Sequence, residues 1–218
     1  MNRLIVLTAA LLVAMNTFAQ KRIVSLNGAV TEIVVALGFE KNIVGVDVTS
    51  TYPASMQEVA KVGHNRNISA EPVLALNPDL ILGTDNFLQP AVIAQLKNVG
   101  VKTQIFKQDF SIEGTKQLIT EVAAALQVPA KGTALIKQLE KEQAGLQIKK
   151  TNQKVLFIYA RGAGTMLVAG MGTPTEKMIM LAGAQNAASG FSDFKPLTPE
   201  ALVAANPDII LMFDDGLK

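Results

Sequence analysis

Two stretches of this chain are near copies of each other: "SAEPVLALNPDLIL" (residues 69–82) and "TPEALVAANPDIIL" (residues 198–211). They align without gaps. Seven of the fourteen positions are identical: Glu71/Glu200, Ala75/Ala204, Asn77/Asn206, Pro78/Pro207, Asp79/Asp208, Ile81/Ile210 and Leu82/Leu211. Each copy reads as a short helix, an Asn-Pro-Asp turn and an apolar strand. Asn-Pro-Asp is good turn chemistry, so unrelated units can converge on it. The paired glutamates have no turn role, which favours an internal repeat and hence two similar lobes.

Working outward from the first copy, "RIVSL" (22–26) reads as a strand ended by Asn27-Gly28, and "AVTEIVVALG" as a helix closed by Gly38. "NIVGVDV" is a second strand, "QPAVIAQLKNVG" a helix, "VKTQIFK" a strand and "SIEGTKQLITEVAAALQ" another helix. Strands alternating with helices of about ten residues predict a parallel, doubly wound sheet. From Pro129 to about Lys150 the strand pattern stops. Helix formers and charge take over, with an apolar stripe at Ala134, Ile136, Leu139 and Leu146. The spacing predicts one amphipathic helix of roughly 20 residues, about 30 Å long. Strand patterning restarts at "KVLFIYA", and "TPTEKMIMLAG" reads as a helix ahead of the second copy.

The fold expected is therefore α/β: two lobes with mainly parallel sheets joined by one long helix. The boundaries are residues 20–127 for the first lobe, 128–152 for the linker helix and 153–218 for the second lobe. About 45 residues separate Leu82 from the linker, but only seven follow Leu211. The second lobe is thus read as C-terminally truncated, leaving a sheet edge and a core face uncovered.

Residues 1–19 have the form of a signal peptide cleaved near Ala19: a basic Arg3, a short apolar run from Leu4 to Met15, and small residues before Gln20. That run is too short to span a bilayer. With no cysteine, the exported chain has neither disulfides nor a lipidation site, which suits a soluble periplasmic monomer without stable membrane insertion. Hydrophobic residues make up 49% and charged residues 17%, enough for a sizeable core. A net charge of +2 with scattered Lys and Arg gives no footprint for nucleic acid.

Chemistry-bearing residues are few. His64 is the chain's single histidine, set in "KVGHNRN" ahead of the first repeat. There is no G-x-G-x-x-G, P-loop, G-x-S-x-G or Cys nucleophile. Asp47, Asp85, Asp214 and Asp215 could join His64 in a metal site. A metal-dependent periplasmic enzyme or a metal-ion binder is thus one reading.

Five stretches carry a resemblance: "RIVSLNGAVTEIVVALG", "VGVDVTSTYP", "VGHNRNISAEPVLALNPDLIL", "LVAGMGTPTEKMIMLAGAQNAA" and "FKPLTPEALVAANPDIIL". Together they resemble the haemin-binding periplasmic proteins of bacterial ABC importers. These belong to the helical-backbone substrate-binding group, shared with the vitamin B12 and ferric-siderophore binders, which are the nearest alternatives. The resemblance implies capture of haem b as transported cargo in a cleft between the lobes, and delivery to a permease.

Family members usually carry "VGY" where this chain has "VGH", and that tyrosine is the axial ligand of the haem iron. The resemblance therefore puts His64 in the ligand position, and imidazole is a standard axial ligand. Neutral imidazole is softer than phenolate and tolerates ferrous iron better, so a weaker ferric preference is expected. Proton and iron compete for one nitrogen, so binding should fade as the ring is protonated.

Arg66 and Arg161 are candidate partners of the haem propionates, since guanidinium matches carboxylate bidentately. In some relatives the loop of Arg161 offers a histidine; here it reads Ala160-Arg161. Relatives often have an arginine before the last Gly-Leu, where this chain has Asp215, a carboxylate able to orient an imidazole. Met171 is a candidate pocket residue, either as a sixth ligand or packed against porphyrin or core. Tyr52, in "STYP", is expected to be structural. Glu71 and Glu200 fall in the first turns of the repeated helices, after Ser69 and Thr198 as N-caps. In the family one glutamate per lobe docks onto permease arginines, which implies an ABC permease dimer as partner through Glu71 and Glu200.

Overall fold

The computed structural model describes residues 21–86, 88–160 and 166–213, so the leader expected over residues 1–19 lies outside the described residues. The chain divides into two compact units. The first runs to Gln108 and takes in Lys116–Ile136; the second holds Asp109–Thr115 and continues from Lys137.

The first unit is built on strands β1 (Ile23–Ser25), β2 (Ile43–Val46), β3 (Leu80–Thr84) and β4 (Lys102–Phe106), in the order β2-β1-β3-β4. Every pairing is parallel. Strands β1 and β3 are buried throughout, which is why they read as unbroken apolar runs and not as alternating ones. Helix α1 (Gly28–Ala36) starts at Asn27, whose Oδ1 accepts the N–H groups of Ala29 (2.9 Å) and Val30 (3.3 Å). It closes at Gly38, whose φ of 89° is the left-handed turn that favours glycine. Helices α2 (Ala70–Leu74) and α3 (Pro90–Asn98) flank β3 in the chain. Val73 and Leu96 from these helices bury against Val24 and Ile81 of the sheet, each such side chain worth about 1.5–3 kcal/mol.

Helices α4 (Ile112–Ala125) and α5 (Pro129–Ala144) follow. They approach closely at Gly132, where an added Cβ would lie 2.6 Å from the Ala123 Cβ. Lys131 Nζ donates to Leu37 O (3.0 Å), placing a cation on a carbonyl at the C-terminal end of α1. The linker helix predicted over 128–152 is shorter than expected, at 16 residues or about 24 Å. Gly145 ends it, its N–H turning back to Lys141 O and Glu142 O. Leu146, which extended the apolar pattern, is exposed beyond the helix, as is Ile148.

The second unit centres on β5 (Lys154–Tyr159), which pairs parallel with β7 (Gln185–Asn186) and β9 (Ile209–Met212) and antiparallel with β6 (Leu167–Ala169). Strand β8 (Phe194–Pro196) pairs antiparallel with β6. Helix α6 (Pro174–Leu181) supplies Ile179 to one face, with Val155 and Phe157. Helix α7 (Pro199–Ala205) covers the other, with Leu202 against Leu156 and Ile158.

The sequence repeat is a structural repeat. Asn77 (φ 46°) and Asn206 (φ 42°) both take the left-handed conformation that lets the chain leave its helix. Asp79 Oδ2 accepts the Arg22 N–H (2.8 Å), and Asp208 Oδ2 accepts the Lys154 N–H (2.7 Å). The aspartate N–H groups return bonds to Arg22 O (2.9 Å) and Lys154 O (2.8 Å). The Asn-Pro-Asp turn thus latches each repeat strand to the start of its neighbour, in the equivalent registers Ile23↔Leu80 and Val155↔Ile209.

Two differences separate the copies. Thr198 caps α7 through the Ala201 N–H (3.1 Å), whereas the Ser69 side chain makes no cap bond, contrary to the expectation for both. Strand β3 is fully buried between β1 and β4. In β9, Ile209, Ile210 and Leu211 are 41%, 51% and 47% exposed, and among the described residues β9 pairs with β5 alone.

Candidate functional site

In open parallel sheets, ligands bind outside the carboxyl ends of the strands. At that edge of the first unit, Asn27 follows β1 and is almost fully buried. Its Nδ2 donates to Thr84 Oγ1 (3.1 Å) at the end of β3 and to Gln108 Oε1 (3.3 Å) beyond β4. One amide thus ties three strand ends together.

The loop after β2 is held from beneath. The Asp47 carboxylate, fully buried, accepts the Thr49 N–H (3.1 Å) and the hydroxyls of Thr49 and Ser50. Ser50 Oγ also meets Thr31 Oγ1 (3.0 Å), and Lys61 Nζ donates to Ser50 O (3.1 Å) and Met56 O (2.8 Å). Asp47 is therefore committed to its own turn and is not available to a metal site with His64. Asp85 is exposed, Asp214 and Asp215 lie outside the described residues, and no cluster of three metal-ligating side chains occurs among the described residues.

The His64 loop runs beside this one. Val62 N–H bonds Val46 O (3.0 Å), and Val48 N–H bonds Gly63 O (3.0 Å). Val62 and Ile68 anchor the loop in the core on either side of His64. Gly63 has φ 120°, a conformation that L side chains rarely adopt, so a glycine before His64 is a backbone requirement. His64 is extended (φ −78°, ψ 134°) and exposed. Its Nδ1 accepts the Arg66 N–H (3.3 Å), capping the single 3₁₀ turn Asn65–Asn67. With Nδ1 as acceptor, the proton of the neutral ring sits on Nε2. The lone imidazole is thus an exposed loop residue at the carboxyl edge of the sheet, not a packed core residue.

The other sequence candidates are placed unevenly. Arg66 is exposed next to His64. Arg161 and Asp215 lie outside the described residues. Met171 is 39% exposed and bridges Ser192. It lines a cavity of about 450 Å³ with Lys154, Gln185 and Met180, toward the amino end of β5 and away from Tyr159 at the carboxyl end. That position separates it from the carboxyl edge at which a ligand site is expected. Glu71 and Glu200 are both exposed in the first turns of α2 and α7. The Glu200 carboxyl is held below the usual range, first by its own backbone N–H and then by the Thr198 hydroxyl.

Sequence reasoning missed three features. The Asn27 clamp joins residues 57 and 81 positions apart, so no local pattern announces it. Tyr159 meets Phe194 (6.3 Å) and Phe213 (6.1 Å) edge-on, an aromatic group at the carboxyl end of β5 that period-two alternation in "KVLFIYA" hints at. Tyr52, expected to be structural, is 68% exposed.

The profile of the family described as periplasmic binding protein matches residues 23–216. Among solved structures, the chain is similar to the periplasmic heme-binding protein RhuT from Roseiflexus sp. RS-1 in apo form. The identity is 40% and the TM-score 0.83, over 90% of this chain and 78% of that one. Among curated relatives it is 31% identical to the uncharacterised ABC transporter substrate-binding lipoprotein YvrC of Bacillus subtilis (strain 168), covering 91% of this chain and 65% of that protein. It is also 25% identical to the vitamin B12-binding protein of Vibrio parahaemolyticus, over 90% of this chain and 74% of that one. The chain therefore spans just under two thirds of the length of its Bacillus relative.

Proposed function

Because the chain belongs to the periplasmic binding protein family, we propose that it captures haem and hands it to an ABC-type importer. The observation that carries this reading is the exposed imidazole of His64, on a loop anchored at the carboxyl edge of a parallel sheet, in a chain 40% identical to a heme-binding protein. The protein performs no bond chemistry on its cargo. His64 Nε2 takes the iron, which requires the ring proton to move to Nδ1 and the Arg66 N–H to be released. Arg66, exposed beside His64, offers a guanidinium to a propionate. Glu71 and Glu200, equivalent exposed anions on the repeated helices, dock on a pseudo-symmetric permease.

A haemin titration tests the proposal. Wild-type protein should give a shifted Soret band, lost in His64→Ala, that excess cyanocobalamin or Zn²⁺ does not displace. The second reading, cobalamin binding, is favoured by the vitamin B12-binding relative. Tight cyanocobalamin binding with no haemin spectrum would replace the first reading by the second.

A further inference from the structure

Tyr52 is 68% exposed, and it follows a turn held by buried side chains. The turn ahead of it is bound by the buried Asp47 carboxylate, by Ser50 on Thr31 and by Lys61 Nζ on Ser50 O. Two residues beyond Ser50 the chain turns outward, and Pro53 leads into the 3₁₀ segment Ala54–Glu58. The same loop is zipped to the His64 loop through the Val48 N–H on Gly63 O. An exposed aromatic ring on a rigid support costs little entropy to immobilise and presents a flat apolar face with a polar tip. Among the described residues, Tyr52 is not part of the core cluster of the first unit. Val48, on the same loop, is also 42% exposed.

We infer that Tyr52 is a second ligand-contacting residue of this edge, laying its ring against the face of a flat tetrapyrrole whose metal is addressed by His64. The inference rests on the proposed function for its ligand, but not for the identity of the metal. The contact is made by the ring; the phenol hydroxyl is not required.

The test compares wild type, Tyr52→Ala and Tyr52→Phe by haemin titration, with nitration of the phenol by tetranitromethane as a second readout. Tyr52→Ala should weaken haemin binding about fivefold to tenfold, the range of an aromatic contact, with the Soret position unchanged because the axial ligand is untouched. Tyr52→Phe should restore wild-type affinity. Saturating haemin should protect Tyr52 from nitration, read by peptide mapping against the half-buried Tyr159. Wild-type affinity in Tyr52→Ala overturns the inference, as does failure of Tyr52→Phe to rescue or nitration of Tyr52 unaffected by ligand. A wild-type protein that ignores haemin but binds cyanocobalamin sinks the haem reading alone, and the same three proteins titrated with cyanocobalamin then decide Tyr52. Binding of neither tetrapyrrole overturns both.

Discussion

The backbone N–H of Arg66 donates to Nδ1 of His64 at 3.3 Å, so the imidazole that would take iron is already in use as the cap of its own turn. A neutral ring in that arrangement carries its proton on Nε2, the nitrogen that reaches outward. Coordination therefore begins with a tautomer change. The chain has one histidine, which makes the change directly readable by nitrogen NMR. The ligand-free protein should show the Nε2–H tautomer, and protein loaded with diamagnetic gallium protoporphyrin the Nδ1–H tautomer. An Nδ1–H ring in the free protein would contradict the cap.

Leu82 and Leu211 are the same position in the two repeats, yet Leu82 is fully buried and Leu211 is 47% exposed. Truncation to alanine should therefore separate them. Leu82→Ala removes a core side chain and should cost about 2–5 kcal/mol. Leu211→Ala should cost less, because about half of its surface is already in water. Urea unfolding of the two variants checks this; equal losses would mean that β9 is covered in solution.

Glu200 supplies a pH-dependent term of known sign. Its carboxyl titrates below the usual range because its own N–H, and then the Thr198 hydroxyl, favour the anion. Its stabilisation is present above the unfolded carboxylate pKa and is lost as pH falls through the lower, folded value. Thr198→Ala should move the Glu200 titration back up, seen in the side-chain carbonyl shift by NMR, and should also remove the Ala201 cap. A titration unchanged in Thr198→Ala would show that the hydroxyl plays no part.

Docking through the repeated glutamates makes a separable prediction. Glu71→Gln with Glu200→Gln should leave haemin affinity within about twofold, since both side chains are solvent-exposed in helix first turns. Uptake through the cognate importer should fall by about tenfold or more, with each single variant intermediate. Full uptake by the double variant would remove these residues from the interface.

Much of the first unit was legible because its strands are buried on both faces and so appear as unbroken apolar runs between glycine and Asn-Pro stops. The Asn-Pro-Asp repeat also read correctly as a turn, since its left-handed asparagine is a local consequence of those residues, whereas the aspartate latch to a strand more than fifty residues away was not legible. Strands β7 and β8 did not show because two or three residues carry no period. The linker was overextended because Leu146 continued an apolar stripe past the glycine that ends the helix. At the candidate site, His64 stood out as the only imidazole. The Asn27 clamp and the exposure of Tyr52 were hidden, because both depend on which distant segments the sheet brings together.

Strand β9 has a further consequence for anyone handling this protein. Ile209, Ile210 and Leu211 form a short, uncharged ribbon whose side chains meet water and whose backbone is hydrogen-bonded to β5 along one margin. Such a ribbon is adhesive toward others of its kind, so the colloidal behaviour of the purified protein will depend on concentration more steeply than its mixed surface charge suggests. Ile210→Lys should keep dense samples clear while leaving the His64 loop untouched.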